Sequence, residues 1–196
     1  MKTRVLKNDL ELSGFIAAAA KVHKIEYPMD YLKRSRVVGL FDKDLKLCGG
    51  FLLAVKGPFR TLESLPDNVE IDHIPQHKAA EINALWVDNT CRGKKSARLW
   101  LRIFFEMVRS RKTHFLYTYS LKSASLGAIY AVVRPTVLYR GLTKQVAGMT
   151  APDEESVECF RMSNAFKALY RDPTFAFRRK RGYRYRHKIF SPVKDI

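Results

Sequence analysis

Cysteine is scarce in this sequence. The three, Cys48, Cys91 and Cys159, lie far apart and form no Cys-x-x-Cys pair. An odd, sparse set argues against a disulfide framework and points to a reducing compartment. Long apolar runs are lacking too. The run "GFIAAAA" has only seven residues before Lys21, and Asp9 and Glu11 precede it. It reads as part of a helix, not as a signal peptide. No stretch approaches the length of a membrane span, so a soluble, cytoplasmic protein is expected. Internal repeats and low-complexity linkers are absent, which favours one domain over residues 1–196.

Acidic residues are the scarce charge. Asp and Glu number 19 against 36 Lys and Arg, a net +17. With 46% apolar residues the chain is not a disordered basic protein, because disorder needs low hydrophobicity as well as high charge. The imbalance favours acidic partners without naming one. RNA, DNA, an acidic protein, an anionic membrane surface and a phosphorylated cofactor all stay open. His73 and His77 in "HIPQH" are four apart, but Pro75 breaks a helix through them and no further ligands accompany them. No metal site is expected. No Ser/His/Asp or Cys/His set has the local sequence of a hydrolase.

Pattern and punctuation give the elements. Thr3–Lys7 reads as a strand, and "NDLELSGFIAAAAKVHKIEY" as a helix capped by Asn8 or Asp9 and closed before Pro28. "RVVGLFDKDLKLCGGFLLAVKG" reads as two strands joined at Asp42–Asp44, with Gly49 and Gly50 marking a bulge or a close backbone approach. "AAEINALWV" is a third strand. From Lys95 to Arg111, Leu99, Ile103, Phe104, Met107 and Val108 recur at helical spacing. "THFLYTY" is a strand, "KSASLGAIYAVV" a helix stopped by Pro135, and "TVLYRGL" and "ESVECFRMS" further strands. The order implies a mixed sheet with helices on its faces.

The junction between "AAEINALWV" and the following helix carries the chemistry. A helix N-terminus offers unpaired N–H groups and partial positive charge, which suit an anion. Gly93 permits close backbone approach. Arg92, Lys94 and Lys95 add charge, and Ser96 adds a hydroxyl. On these grounds alone the segment is either a diphosphate pocket or one more basic loop of a basic protein.

Val87, Arg92 and Ala97 stand in register with the acyl-coenzyme-A motif of the GCN5-related N-acetyltransferase (GNAT) superfamily, which this segment resembles: a strand ending in Val, a turn, then Gln/Arg-x-x-Gly-x-Gly/Ala opening a helix. Lys95 stands where the family usually has Gly, and Asn89 where Pro is frequent. A side chain at 95 would either crowd the pyrophosphate or pair with it. The likeness in element order extends over Val37–Arg161. It implies a mixed α/β (α+β) fold with a central, mostly antiparallel sheet flanked by helices. It also implies an acyl-CoA-dependent N-acyltransferase that uses acetyl-CoA or another acyl-CoA, with direct attack by an amine acceptor. By the same resemblance, backbone groups of Leu85 and Val87 would hold the pantetheine arm. Amides of Arg92, Gly93, Lys94, Lys95, Ser96 and Ala97 would hold the pyrophosphate. Tyr130 in "LGAIYAVV" would protonate the leaving thiolate, with Tyr139 as its rival. Glu81 stands where several members place a catalytic carboxylate, and a carboxylate on a largely apolar strand is a candidate base near neutral pH. In a regular strand Glu81, Asn83, Leu85 and Val87 would share one face. The competing reading of Glu81 is a strand-edge ion pair.

"EINALWV" also resembles the Glu-x-Ser-Arg-x-x-Val strand of autoinducer synthases, and "RTLESLP" their Arg-containing segment upstream, although Ala84 replaces the motif's Arg. This implies an acyl-carrier-protein donor, an acidic partner that a basic surface attracts. The C-terminal segment 178–188 supplies a third alternative, a nucleic-acid-binding protein without catalysis. Residues 171–196 hold nine Lys/Arg against two Asp, a net +7. Arg178, Arg179, Lys180 and Arg181 precede Tyr183, Arg184, Tyr185 and Arg186, whose alternation in a strand would put tyrosines on one face and arginines on the other. Base stacking on Tyr with Arg on phosphate is how single-stranded nucleic acid is held. A solvated final strand is the competing reading.

Overall fold

The computed structural model describes residues 1–69, 71, 73–91, 97–122, 126–127 and 130–171. A single seven-stranded sheet holds β1 (Lys2–Leu6), β2 (Arg36–Phe41), β3 (Leu47–Ala54), β4 (Ala79–Val87), β5 (His114–Ser120), β6 (Thr136–Leu142) and β7 (Glu154–Arg161). The spatial order is β1-β2-β3-β4-β5-β7-β6. β4 and β5 run parallel, and the other neighbouring pairs are antiparallel. Among the described residues the sheet is joined by the α-helices α1 (Asp9–His23), α2 (Met29–Lys33), α3 (Arg60–Glu63), α4 (Ala97–Ser110) and α5 (Met162–Arg171), and by short 3-10 turns at Gln76–Lys78, Asn89–Cys91 and Ala131–Val133. This is the mixed, mostly antiparallel sheet flanked by helices that the sequence implies.

Local chemistry explains the elements. The Asn8 side chain accepts from the Glu11 N–H at 2.8 Å, which satisfies a donor at the start of α1. Leu12, Phe15 and Ala19 then bury one face of that helix, and Lys24 ends it in the left-handed region. α1 and α2 cover one side of the sheet, over Leu52, Ala84, Trp86 and Leu116. The α4 side chains Leu99, Ile103 and Met107 cover the other, over Phe51, Leu53, Phe115 and Tyr117.

Two helices are additions to the sequence expectation. α2 directly follows Pro28, which stands as its extended N-cap. α5 begins at Met162, so the strand expected over "ESVECFRMS" stops at Arg161. The buried face of α5 is only Ala165 and Ala168. Two small residues make a weak apolar signal.

Gly50 is the close approach expected from the Gly-Gly pair. A Cβ there would lie 2.5 Å from the Val38 carbonyl oxygen and 2.6 Å from the Phe15 ring. Neither can withdraw without moving the sheet or α1. Gly50→Ala should therefore destabilise the fold by about 3 kcal/mol, an overpacking cost, read as a lowered denaturant midpoint.

β4 departs from regular alternation. Its pairing with β3 shifts between Gly50 and Leu52, and Ala84 has φ +49. This bulge corrects the expectation that Glu81, Asn83, Leu85 and Val87 share a face. Glu81 and Asn83 contact Tyr31 and Tyr27 on the α1 side. Ala84 and Trp86 belong to that same side, while Leu85 and Val87 pack on the α4 side. One extra residue in the strand switches every later side chain to the other face.

Candidate active site

The strands β4 and β5 pair only over Ala79–Glu81 against His114–Leu116. β5 continues to Ser120, held by β7 along its whole length. β4 turns away through the bulge. A gap in the hydrogen-bonded ladder opens between them past Glu81.

Backbone groups line the β4 edge of this gap. The Asp88 N–H donates to the Cys48 carbonyl at 2.8 Å. The Trp86 carbonyl also faces β3, since a Cβ on Gly49 would lie 2.9 Å from its oxygen. Strand polar groups alternate between edges. Those of Leu85 and Val87 therefore face the β5 side, where β5 has stopped pairing. His23, at the end of α1, lies against the Leu85 carbonyl, which raises its pKa, but burial is the larger effect and lowers it. Its Nε2 is buried without a hydrogen-bond partner among the described residues.

The direction for His23 has a consequence for stability. A folded-state pKa below the ordinary 6.5 means that folding favours the neutral ring. That contribution is fully present above pH 6.5 and is lost as pH falls through the folded value. His114 is shifted the same way, with burial the first cause. Acid unfolding of His23→Gln should be less steep than wild type by up to about 1.4 kcal/mol per pH unit, the limit for one proton. Denaturant midpoints between pH 7 and 5 measure it.

On the α1 side of the gap Glu81 is completely buried. Its Oε2 accepts from the Tyr31 hydroxyl at 2.8 Å and the Arg60 N–H at 3.1 Å. Its Oε1 accepts from the Thr61 N–H at 2.7 Å, the Thr61 hydroxyl at 2.5 Å and the Asn83 amide at 3.1 Å. Asn83 in turn accepts from the Tyr27 hydroxyl at 2.9 Å. The carboxylate thus binds the start of α3 to β4 and to the segment after α1. Burial, as the first cause, raises the pKa of both Tyr27 and Tyr31.

On the α4 side the ring of Tyr130 lies 4.6 Å from that of Tyr117 and 5.7 Å from that of Tyr119, centroid to centroid. Both ring partners stand on the part of β5 that β4 has left. Tyr139, the rival residue, donates to the Leu142 carbonyl at 2.9 Å on the edge strand β6. Beneath Tyr130 lies a carboxylate that sequence reasoning missed. Buried Glu158 accepts from Tyr117 at 2.5 Å, Tyr119 at 2.9 Å and Ser156 at 2.8 Å, with Arg140 at 3.5 Å. A Glu in the middle of the apolar strand "VECF", opposite the alternating tyrosines of "LYTY", was the available signal.

Ala97 is the first described residue of α4. The expected pyrophosphate residues Arg92, Gly93, Lys94, Lys95 and Ser96 lie outside the described residues. So do Arg178, Arg179, Lys180, Arg181, Tyr183, Arg184, Tyr185 and Arg186. Cys91 is buried next to Cys48, whose thiol is pushed up to about 12 by burial first and Cys91 second. A separate cavity of about 320 Å³, lined by His73, His114, Arg161 and Asn164, sits at the other end of β5 from the gap. Among the described residues no helix is long and apolar enough to cross a membrane, and no group of three or more His, Cys, Asp or Glu is arranged to hold a metal ion.

Solved structures share this arrangement of sheet and helices. FeeM, an N-acyl amino acid synthase from uncultured soil microbes, superposes with a TM-score of 0.57 at 15% identity, over 86% of this chain and 97% of its own. The protein yncA from Salmonella typhimurium, solved with its cofactor acetyl-CoA, gives 0.51 at 12% identity over 83% and 95%. A spermidine N-acetyltransferase, a SpeG chimera from Vibrio cholerae and hSSAT, gives 0.53 at 12% identity over 87% and 99%. No protein-family model and no curated protein matches the sequence. The chain has the fold of the GNAT superfamily.

Proposed function

We propose that the protein is an N-acyltransferase that moves an acyl group from a coenzyme A thioester to an amine in the gap between β4 and β5. The carrying observation is the parting of β4 from β5 past Glu81, with the Leu85 N–H and the Val87 backbone groups on the β5 side; the Leu85 carbonyl is already met by His23. An extended pantetheine arm could pair with that edge as a β-strand would, and no neighbouring strand competes. The relatives of like fold act on acyl groups: one is an N-acyl amino acid synthase, one holds acetyl-CoA, one acetylates spermidine.

In this reading the donor lies on the α4 side. The segment Arg92–Ser96 with Ala97 holds the pyrophosphate, a role that rests on the sequence. The amine enters from the α1 side. Its nitrogen lone pair attacks the thioester carbonyl, the C–N bond forms, and collapse of the tetrahedral centre breaks the C–S bond. The Tyr130 hydroxyl supplies a proton to the departing thiolate. The amine must also lose a proton, which passes to water, and Tyr130 regains its own proton from the same solvent. Glu81, the residue the resemblance places as base, has both oxygens occupied by five donors and is sealed from solvent. We therefore assign it the positioning of Tyr31, Asn83 and the start of α3 instead of the proton transfer itself.

Calorimetric titration with acetyl-CoA and with longer acyl-CoAs tests the function. Saturable binding is expected, weaker when Arg92 and Lys94 are replaced by alanine. Binding of none of them would overturn the reading.

A further inference from the structure

The far end of β5 carries a second concave place. His114 stands directly opposite Arg161 of β7 in the antiparallel register, and residues so placed share a face of the sheet. Leu116, two residues after His114, and Cys159, two residues before Arg161, are buried on the α1 side. Alternation therefore puts His114 and Arg161 on that side as well. With His73, from the loop ahead of β4, they line the cavity of about 320 Å³. Ile74, Leu138 and Phe160 add apolar wall. Such a volume and lining suit a small molecule.

The charge in this cavity is of one sign. Among the described residues, none of Arg161, His114 and His73 has a carboxylate within ion-pair distance. Lys78 stands close behind, its carbonyl accepting from the Thr113 N–H at 2.9 Å, next to His114. A protonated His114 opposite Arg161 is a like-charge pair, which costs a sheet stability unless an anion lies against it. Burial first, then Arg161, Lys78 and His73, hold the His114 pKa below its ordinary value, as an uncompensated positive field does. His114 Nδ1 is engaged by Thr113 Oγ1 at 2.9 Å, which leaves Nε2 for a ligand. The Arg161 guanidinium offers a fork of parallel N–H donors.

We propose that this cavity binds a phosphate monoester on a small apolar body, with Arg161, His114 and His73 around the phosphate and the apolar wall against the body. The three terminal oxygens of a phosphate dianion can meet all three side chains, whereas a carboxylate has only two. The site is distinct from the acyl-transfer gap. Leu116, fully buried and the last β5 residue paired with β4, stands between His114 and the parted segment. The proposal does not depend on the acyltransferase reading.

Calorimetric titration of the full-length protein with phenyl phosphate, benzoate and benzyl alcohol, near neutral pH and at fixed ionic strength, tests it. Phenyl phosphate should bind saturably and about tenfold or more tighter than benzoate, with no binding of benzyl alcohol. Arg161→Gln and His114→Gln should each weaken phenyl phosphate about tenfold, the scale of one charge-assisted contact. Replacing Arg92 and Lys94 together by alanine should leave its affinity at the wild-type value, which separates this cavity from the expected pyrophosphate segment. No saturable binding, equal affinity for phenyl phosphate and benzoate, or wild-type affinity in Arg161→Gln would overturn the assignment. Arg161 is exposed, so its replacement leaves the core untouched. The ranking of the three probes needs no variant at all.

Discussion

Glu81→Ala should destabilise the protein by about 4 kcal/mol or more, because it leaves several buried donors without an acceptor at once. The donors are the Tyr31 hydroxyl, the Arg60 and Thr61 N–H groups, the Thr61 hydroxyl and the Asn83 amide. None can turn to water, since Tyr31, Arg60 and Thr61 are themselves buried. Glu81→Gln is the sharper variant. It keeps the volume but brings an NH2 group against a ring of donors, so at least one N–H or O–H must face another. It should still cost about 2–3 kcal/mol, the scale of a lost charge-assisted contact plus an unsatisfied donor. Urea unfolding followed by tyrosine and tryptophan fluorescence measures both. A Gln variant with wild-type stability and no activity would restore the proton-transfer role and overturn the positioning one.

The fold was largely legible because periodicity and burial agree in the elements that matter. "AAEINALWV" is bounded by polar segments and is β4 from its first residue to its last. The α4 stripe from Leu99 to Met107 has no competing period. What eluded the sequence was local geometry without a residue signature. The bulge in β4 sits at Ala84, a residue with no preference for positive φ, so nothing in "EINALWV" announces that the face switches there. The tertiary role of Glu81 was equally hidden, since its partners Tyr31 and Thr61 lie 50 and 20 residues away. Arg60 was visible as the Arg of "RTLESLP", the segment that resembles the autoinducer synthases upstream of β4. Its burial on the Tyr27 and Tyr31 rings is something no local pattern encodes. Glu158 was legible in principle, as a charged residue inside an apolar strand.

Tyr130→Phe should lower kcat about 100-fold or more while leaving the acyl-CoA dissociation constant near wild type, the signature of a lost general acid. The ring would still stack on Tyr117 and Tyr119, so the pocket wall persists and only the hydroxyl is gone. Donors with a better leaving group discriminate a proton-donor role from a packing role. A thioester of an acidic aryl thiol departs without protonation, so Tyr130→Phe should recover most of its rate with such a donor. Tyr139→Phe should leave kcat unchanged, because that hydroxyl is spent on the Leu142 carbonyl at the sheet edge. The neighbouring carboxylate predicts a further distinction. Glu158 holds Tyr117 and Tyr119 by their hydroxyls, and those two rings are the surface on which Tyr130 rests. Glu158→Gln should therefore reduce kcat through misplacement of Tyr130, and that loss should recover with the aryl thioester as it does for Tyr130→Phe. A Tyr130→Phe variant that keeps full kcat with acetyl-CoA would remove Tyr130 from the mechanism and leave the gap and the Leu85 and Val87 edge as they stand.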